Sequence, residues 1–275
     1  IKANPSAFVS YVKAPVASAF GNMQVSDAFI RKYGLRLPYY IGSMYRGISS
    51  VEMVVTCAEA GILCFFGSAG FSPSELDQHI DNIKRQLTAE QLYGMCMLCN
   101  LEHPDDELAV ASLYVHKKVR VIEASAYVMV TKALVYYRLK GARLVDNVIN
   151  VPNSIIAKIS RVEVAKQFLA PPPAELVDEL LSEGLISPQE AEIAQLISLA
   201  SDVTVEADSG GHTDQGVALS LVPMVIAIKD QAMITYQFTD RILIGLAGGI
   251  GSPAAVNAAF ALGVDYVVTG SINQC

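Results

Sequence analysis

The stretch ILIGLAGGIGSPAAVNAAFALGV, from Ile242 to Val264, decides how the fold is read. It carries no charged side chain and is long enough to cross a bilayer as a helix. Its punctuation argues against that. Gly245, Gly248, Gly249, Gly251 and Gly263 interrupt it, and Pro253 follows a serine in its middle. Glycine is a weak helix former, and proline breaks a helix interior but suits a first turn. The stretch therefore reads as the end of a strand over 241–248, a glycine turn, and a helix over 254–262 that starts at Ser252-Pro253.

Outward from this unit, apolar runs of strand length recur at Pro38–Tyr45, Leu63–Gly67, Tyr93–Leu98 and Val119–Ala126. Ile155–Ser160, Val203–Asp208, Arg241–Gly248 and Tyr266–Ser271 bring the set to eight. Helical periodicity fills the gaps at Val51–Ala60, Asp105–Lys117 and Ala254–Leu262. Ser72-Pro73-Ser74-Glu75 and Ser187-Pro188-Gln189-Glu190 each place serine at an N-cap, proline in the first turn and glutamate three residues on. Strands that are apolar throughout are buried on both faces, as in a parallel sheet. The expected fold class is α/β, a (β/α)8 TIM barrel over 38–275, with a doubly wound open sheet as the alternative. Residues 1–37 are expected to cover the barrel's bottom or flank. The segment 161–202, broken by Pro171-Pro172-Pro173, reads as a helical insertion with helices at Ala174–Glu183 and Pro188–Leu199, either a flap beside the active face or an ordinary two-helix excursion.

Composition narrows the function classes. Apolar residues make up 52% of the 275 and charged ones 17%, which excludes a disordered chain. The net charge of −7 without a basic run excludes an extended nucleic-acid surface. With Ile242–Val264 read as a βα unit, the apolar excess points to a large core and no membrane insertion. No secretory signal opens the chain. Its five cysteines, an odd number embedded mostly in apolar runs, point to reduced thiols and a cytoplasmic setting. A start at Ile1 reads as a region of a longer polypeptide.

Barrel enzymes carry their chemistry at the C-terminal ends of the strands. Glu123, Lys158, Glu206 and Asp208 stand near such ends in otherwise apolar runs, where burial is costly unless charges pair or meet a ligand. Either a structural ion pair or a ligand site accounts for them. Gly248-Gly249-Ile250-Gly251-Ser252 ends the seventh strand, and Thr269-Gly270-Ser271 ends the eighth. Such adjacent turns bring backbone N–H groups and a helix N-terminus to an anion. The spacing Gly249, Gly251, Ala254 also matches a dinucleotide fingerprint, although only one strand follows it. After the sixth strand, Ser209-Gly210-Gly211-His212 puts an imidazole, with an ordinary pKa of about 6.5, on a glycine loop. Cys96 and Cys99, three apart on a strand, point to opposite faces and do not converge on a metal, and no metal site is expected. His79, His103 and His116 read as surface residues.

Gly42-Ser43-Met44-Tyr45-Arg46-Gly47-Ile48-Ser49-Ser50, Arg120-Val121-Ile122-Glu123-Ala124-Ser125-Ala126-Tyr127, the Glu206–Asp214 loop and Ala247-Gly248-Gly249-Ile250-Gly251 resemble the PfaD-type trans-acting enoyl reductases of polyketide and polyunsaturated fatty acid synthases. These are grouped with nitronate monooxygenases and flavin-dependent enoyl reductases. The resemblance runs from about Asn22 to Gln274. It implies a TIM barrel holding FMN, with NADPH or NADH as co-substrate. Gly248, Gly249, Ile250, Gly270 and Ser271 would hold the FMN phosphate, and Gly42 and Met44 would line the ring. Glu123, Lys158 and Glu206 would lie beside the ribityl chain and ring. Ser209, Gly210 and Gly211 would approach the flavin, and His212 would be the active-site histidine. Cys96 occupies the cofactor-facing position where relatives usually carry asparagine, and Cys99 stands where they often carry histidine. The implied partner is an acyl carrier protein bearing the enoyl group, in a homodimer or a fusion to an acyltransferase domain. Nitronate monooxygenase, a Schiff-base aldolase using Lys158, and a non-catalytic synthase scaffold are the competing readings.

Overall fold

A computed structural model describes residues 26–208, 210 and 214–274. Eight parallel strands close into a barrel: β1 (Tyr39–Ile41), β2 (Leu63–Phe66), β3 (Gly94–Leu98), β4 (Val121–Ser125), β7 (Ser154–Ile159), β8 (Asp202–Glu206), β9 (Leu243–Ala247) and β10 (Tyr266–Thr269). The pairing of β1 with β10 closes the ring and rules out an open sheet. Six strands fall inside the apolar runs of the sequence and two, β7 and β8, begin one residue before theirs, because staves packed between a filled interior and a helical sheath have no wet face.

Size matching fills the lower half of the interior. Tyr40, Phe65 and Tyr266 point inward, and the neighbouring register positions of two of them are glycines: Gly94 opposite Phe65 and Gly245 opposite Tyr266. A Cβ on either glycine would strike the facing ring. The Tyr40 and Tyr266 hydroxyls both meet the Thr204 hydroxyl at 2.9 Å, so the buried polar atoms are satisfied. Helix α1 (Ala28–Tyr33) closes the N-terminal end, with the Phe29 ring stacked 4.1 Å from Tyr266. Asp202, at the start of β8, latches it by accepting from Lys32 Nζ at 2.8 Å, Tyr33 OH at 2.6 Å and Leu243 N at 2.7 Å.

The outer helices are α2 (Val51–Glu59), α3 (Pro73–Gln86), α4 (Pro104–His116), α5 (Lys132–Leu139), α6 (Val162–Phe168), α7 (Ala174–Ser182), α8 (Pro188–Ala194), α9 (Ala218–Tyr236) and α10 (Pro253–Ala261). Both expected capping boxes form, Ser72 with Glu75 and Ser187 with Glu190. The Ile242–Val264 stretch is strand, glycine turn and helix. Among the described residues α9 alone is apolar and long enough to cross a membrane by length and composition; it packs on β8, β9 and α6.

Two features differ from the sequence reading. An antiparallel hairpin, β5 (Arg143–Val145) and β6 (Val148–Asn150), precedes β7, turning through Asp146 and Asn147, both at positive φ. The insertion forms no flap beside the active face: α7 and α8 pack against α5 and the hairpin, on the flank of the barrel. Lys132 pairs with Glu179 and Glu183 across that contact, and Arg138 donates to the Ser198 carbonyl. The reason is apolar: Val177, Leu180 and Ile193 need a surface to bury, and the outside of α5 supplies one.

Gly245→Ala should cost about 1–3 kcal/mol through overpacking against Tyr266. Phe29→Ala should cost about 3–5 kcal/mol through a cavity under the barrel. Urea unfolding monitored by circular dichroism measures both.

Candidate active site

At the C-terminal end the interior changes from rings to charges. Lys158 Nζ lies 3.0 Å from a Glu206 oxygen and 3.9 Å from Glu123, with only 11% of the lysine side chain exposed and the Glu123 side chain fully buried. Burial alone would lower the lysine's pKa, but Glu123 and then Glu206 outweigh it and hold the pKa above the usual value. A group with a raised folded pKa gives its stabilisation fully at lower pH and loses it only as pH climbs past the lysine range. Lys158 is therefore a fixed ammonium at neutral pH.

Glu123 is anchored from the first-strand loop. Its Oε1 accepts from Ser43 N at 3.1 Å and Ser43 Oγ at 2.5 Å, which ties β4 to the β1–α2 loop. Its Oε2 is buried without a hydrogen-bond partner and lies 3.4 Å from where a Cβ on Gly42 would stand. A buried carboxylate oxygen lacking a donor is uncommon and calls for an explanation.

Gly42 N donates to the Thr269 carbonyl at 3.0 Å, and Met44 N donates to Ser49 Oγ at 2.9 Å, so the β1 loop is stitched to the end of β10. The Met44 carbonyl occupies the space a Cβ on Gly67 would need, a close approach that sequence reasoning missed. Cys96 pairs in register with Glu123 and lies beside Ser43 and Ser125; burial, then the Glu123 charge, pushes its thiol up to about 11. Cys99 lies instead beside Glu107 and the Val128 backbone, so the two sulfurs do not face one another's surroundings. Among the described residues no cluster of His, Cys, Asp and Glu forms a metal site.

After β9, Gly248 and Gly249 take φ of 94° and 71°, a left-handed backbone that glycine adopts without strain. Gly248 also abuts the Ala207 carbonyl, leaving no room for a side chain. Ile250 turns inward, and Ser252 caps α10 by accepting from Ala255 N at 3.2 Å. A Cβ on Gly251 or on Gly270 would meet nothing within 4 Å. Two neighbouring turns thus face open space beside a capped helix start, an anion cradle in form. Ser271 is exposed at the start of a 3₁₀ turn, and the Thr269 hydroxyl is occupied by Tyr39 at 2.7 Å and Asn273 at 2.8 Å.

In the β8–α9 loop, Gly210 N donates to the Ala207 carbonyl at 2.9 Å, and its bare Cα makes room for the Glu206 side chain. Ser209, Gly211 and His212 lie outside the described residues. Asp208 is exposed. His79, read as a surface residue, is packed between Phe66 and Phe71, each 4.8 Å from its ring, because the aromatic pair needs cover.

Glu107 escaped the sequence reading. Buried despite its place in an acidic first turn, it accepts from Asn100 N at 3.0 Å, Tyr127 OH at 2.9 Å and Thr131 Oγ1 at 2.5 Å. It thereby joins the β3–α4 and β4–α5 loops at the barrel mouth.

No family model matches the chain. The polyketide biosynthesis protein PksE of Bacillus subtilis is 45% identical over 251 residues, which are 91% of this chain and 33% of the relative. The polyketide biosynthesis protein ThaF of Burkholderia thailandensis is 40% identical over 90% of this chain and 21% of its own length. The crystal structure of the enoyl reductase domain of MlnA, from the macrolactin biosynthesis cluster of Bacillus amyloliquefaciens, superposes with a TM-score of 0.87 at 38% identity, covering 92% of this chain and 57% of that one. Over nine-tenths of its length the chain is thus similar to parts of polyketide biosynthesis proteins and to an enoyl reductase domain, in line with the PfaD-type resemblance of its motifs. It spans a third or less of these two curated relatives. The PfaD-type motifs around Gly42, Glu123, Glu206 and Gly248 all converge on one barrel mouth.

Lys158→Met should destabilise by about 3–5 kcal/mol, because two carboxylates lose their counter-charge. Adding Glu206→Gln should recover part of that loss in urea unfolding. Cys96, held as a thiol by its pKa of about 11, should resist iodoacetamide at pH 8 in the native protein and react on unfolding, as read by mass spectrometry.

Proposed function

We propose that this barrel is an FMN-dependent enoyl reductase acting with a polyketide or polyunsaturated fatty acid synthase, with NADPH or NADH as reductant and an α,β-unsaturated acyl thioester on an acyl carrier protein as substrate. The observation that carries the reading is one mouth bearing two open glycine turns and a buried ammonium–carboxylate cluster, in a chain similar to an enoyl reductase domain of a polyketide cluster. The residues fit the cofactor. The turns at Gly248–Gly251 and Gly270–Ser271 would hold its phosphate, and Gly42, Met44 and Cys96 would line the ring. Glu123 Oε2 would accept from a donor on the cofactor. Bound flavin supplies the hydride chemistry, which is the cofactor's own.

The chain's residues supply binding, orientation and charge. Lys158 keeps a permanent positive charge at the mouth, where it would stabilise negative charge without giving up its proton. That fixed protonation also argues against a Schiff-base aldolase, which needs a free amine at this lysine. His212 would orient the thioester carbonyl or deliver the proton to the substrate α-carbon. The apolar staves below keep water from the reacting atoms.

His212→Ala should leave flavin bound and slow enoyl reduction by about 10²–10⁴-fold. Gly249→Leu should expel flavin, since a left-handed turn facing a phosphate tolerates no side chain. The assay is the flavin spectrum together with NADPH oxidation dependent on crotonyl thioester. NADPH oxidation that ignores the thioester would overturn the reading, as would a colourless protein that FMN does not reconstitute.

A further inference from the structure

The β3–α4 and β4–α5 loops meet on one buried carboxylate. Glu107, 3% exposed, accepts from Asn100 N of the first loop and from Tyr127 OH and Thr131 Oγ1 of the second. Further bonds pin the same segments: His103 N donates to Asn100 Oδ1 at 3.1 Å, and Val130 N donates to Gln167 Oε1 at 3.3 Å. Ala126, just past β4, is held at a left-handed φ of 62°, a conformation that a residue with a side chain keeps only where its surroundings fix it. The Tyr127 ring, buried and set edge-on to Phe168 at 6.1 Å, fixes it here.

Between these anchors the side chains that face outward are apolar. Leu101 is 54% exposed, Val128 53% and Met129 49%. Single exposed apolar residues are ordinary, but three on two loops clasped to one carboxylate make a fixed apolar lip. The lip continues the two strands that carry Cys96 and Glu123. Those residues pair in register, and two positions further along Leu98 pairs with Ser125, where the loops begin. One pleat repeat, about 7 Å, separates the two pairs. Beyond the lip Glu102, Asp105 and Asp106 are exposed, an array that repels an anionic partner and is indifferent to a hydrocarbon.

We infer that Leu101, Val128 and Met129, held in place by Glu107, form the surface that takes the hydrocarbon tail of the acyl substrate and so sets its chain-length preference. The inference rests on the reading of the barrel as a reductase of acyl thioesters. Glu107 is then a positioning residue: it touches no substrate and acts through the two loops that it joins.

The test is calorimetric titration of the flavin-loaded protein with butyryl- and octanoyl-pantetheine, saturated thioesters that share a head and differ in tail length. Wild type should bind the octanoyl thioester about tenfold or more tightly, the gain from burying roughly two methylene groups. The combined variant Leu101→Ser, Val128→Ser, Met129→Ser should bring the two affinities within about twofold of each other at an unchanged melting temperature, since its substitutions are at the surface. Glu107→Gln keeps the three apolar side chains but sets an amide donor against Asn100 N, and it should narrow the preference as well. Tyr127→Phe, which removes one bond of the clasp, serves where Glu107→Gln does not fold.

Equal affinities in wild type, no binding of the octanoyl thioester, or a combined variant that keeps the wild-type preference would each overturn the lip. A dimer in sedimentation that the combined variant dissolves would assign the lip to a second copy of the chain and overturn it too. A protein that prefers the octanoyl thioester yet reduces neither crotonyl nor octenoyl thioester would overturn the reductase reading and leave the lip standing.

Discussion

An ammonium held 3.0 Å from one carboxylate and 3.9 Å from another, inside a ring of apolar strands, is the constraint on which the rest of this molecule depends. Removing such charges from water costs several kcal/mol each, and only close pairing offsets it. The barrel meets that cost by fixing all three groups from different strands and by giving Glu123 two donors from Ser43. The Glu123 oxygen without a hydrogen-bond partner faces the first-strand loop. The cluster is therefore more than a rivet between strands.

Glycine serves two opposite ends in this barrel. At Gly94 and Gly245 its missing side chain is space taken by a neighbouring ring, which makes the lower interior solid and rigid. At Gly251 and Gly270 the same absence leaves space open, beside a capped helix start. A solid floor under an open rim holds the charged cluster at a fixed depth. Above it, Glu107 joins two loops on one side of the mouth, and Asp214 pairs with Ser160 and Arg161 on the other.

The fold was largely legible because a doubly buried strand writes itself as an unbroken apolar run, and eight such runs spaced by capped helices leave few topologies. The β5–β6 hairpin was not legible for the converse reason. Arg143–Val145 and Val148–Asn150 are mostly solvent-exposed, and the Asp146-Asn147 turn between them looks like an ordinary polar loop. The site was legible where charge interrupted apolarity, as at Glu123, Lys158 and Glu206. It was hidden where charge sat among charge: Glu107 ends an Asp105-Asp106-Glu107 run that reads as a solvated first turn, and its burial depends on the arrival of Tyr127 and Thr131 from another loop. The placement of α7 and α8 was hidden too, since periodicity gives a helix its apolar face but not the surface that face will find.

We propose that the rim is built for a phosphorylated flavin. Its most direct test is titration of flavin-stripped protein with FMN and, in parallel, with riboflavin, followed by quenching of flavin fluorescence. The glycine cradle predicts stoichiometric FMN binding and riboflavin binding weaker by at least an order of magnitude, because the two ligands share a ring and differ only in the phosphate. Equal affinity for the two, or no binding of either, would contradict it.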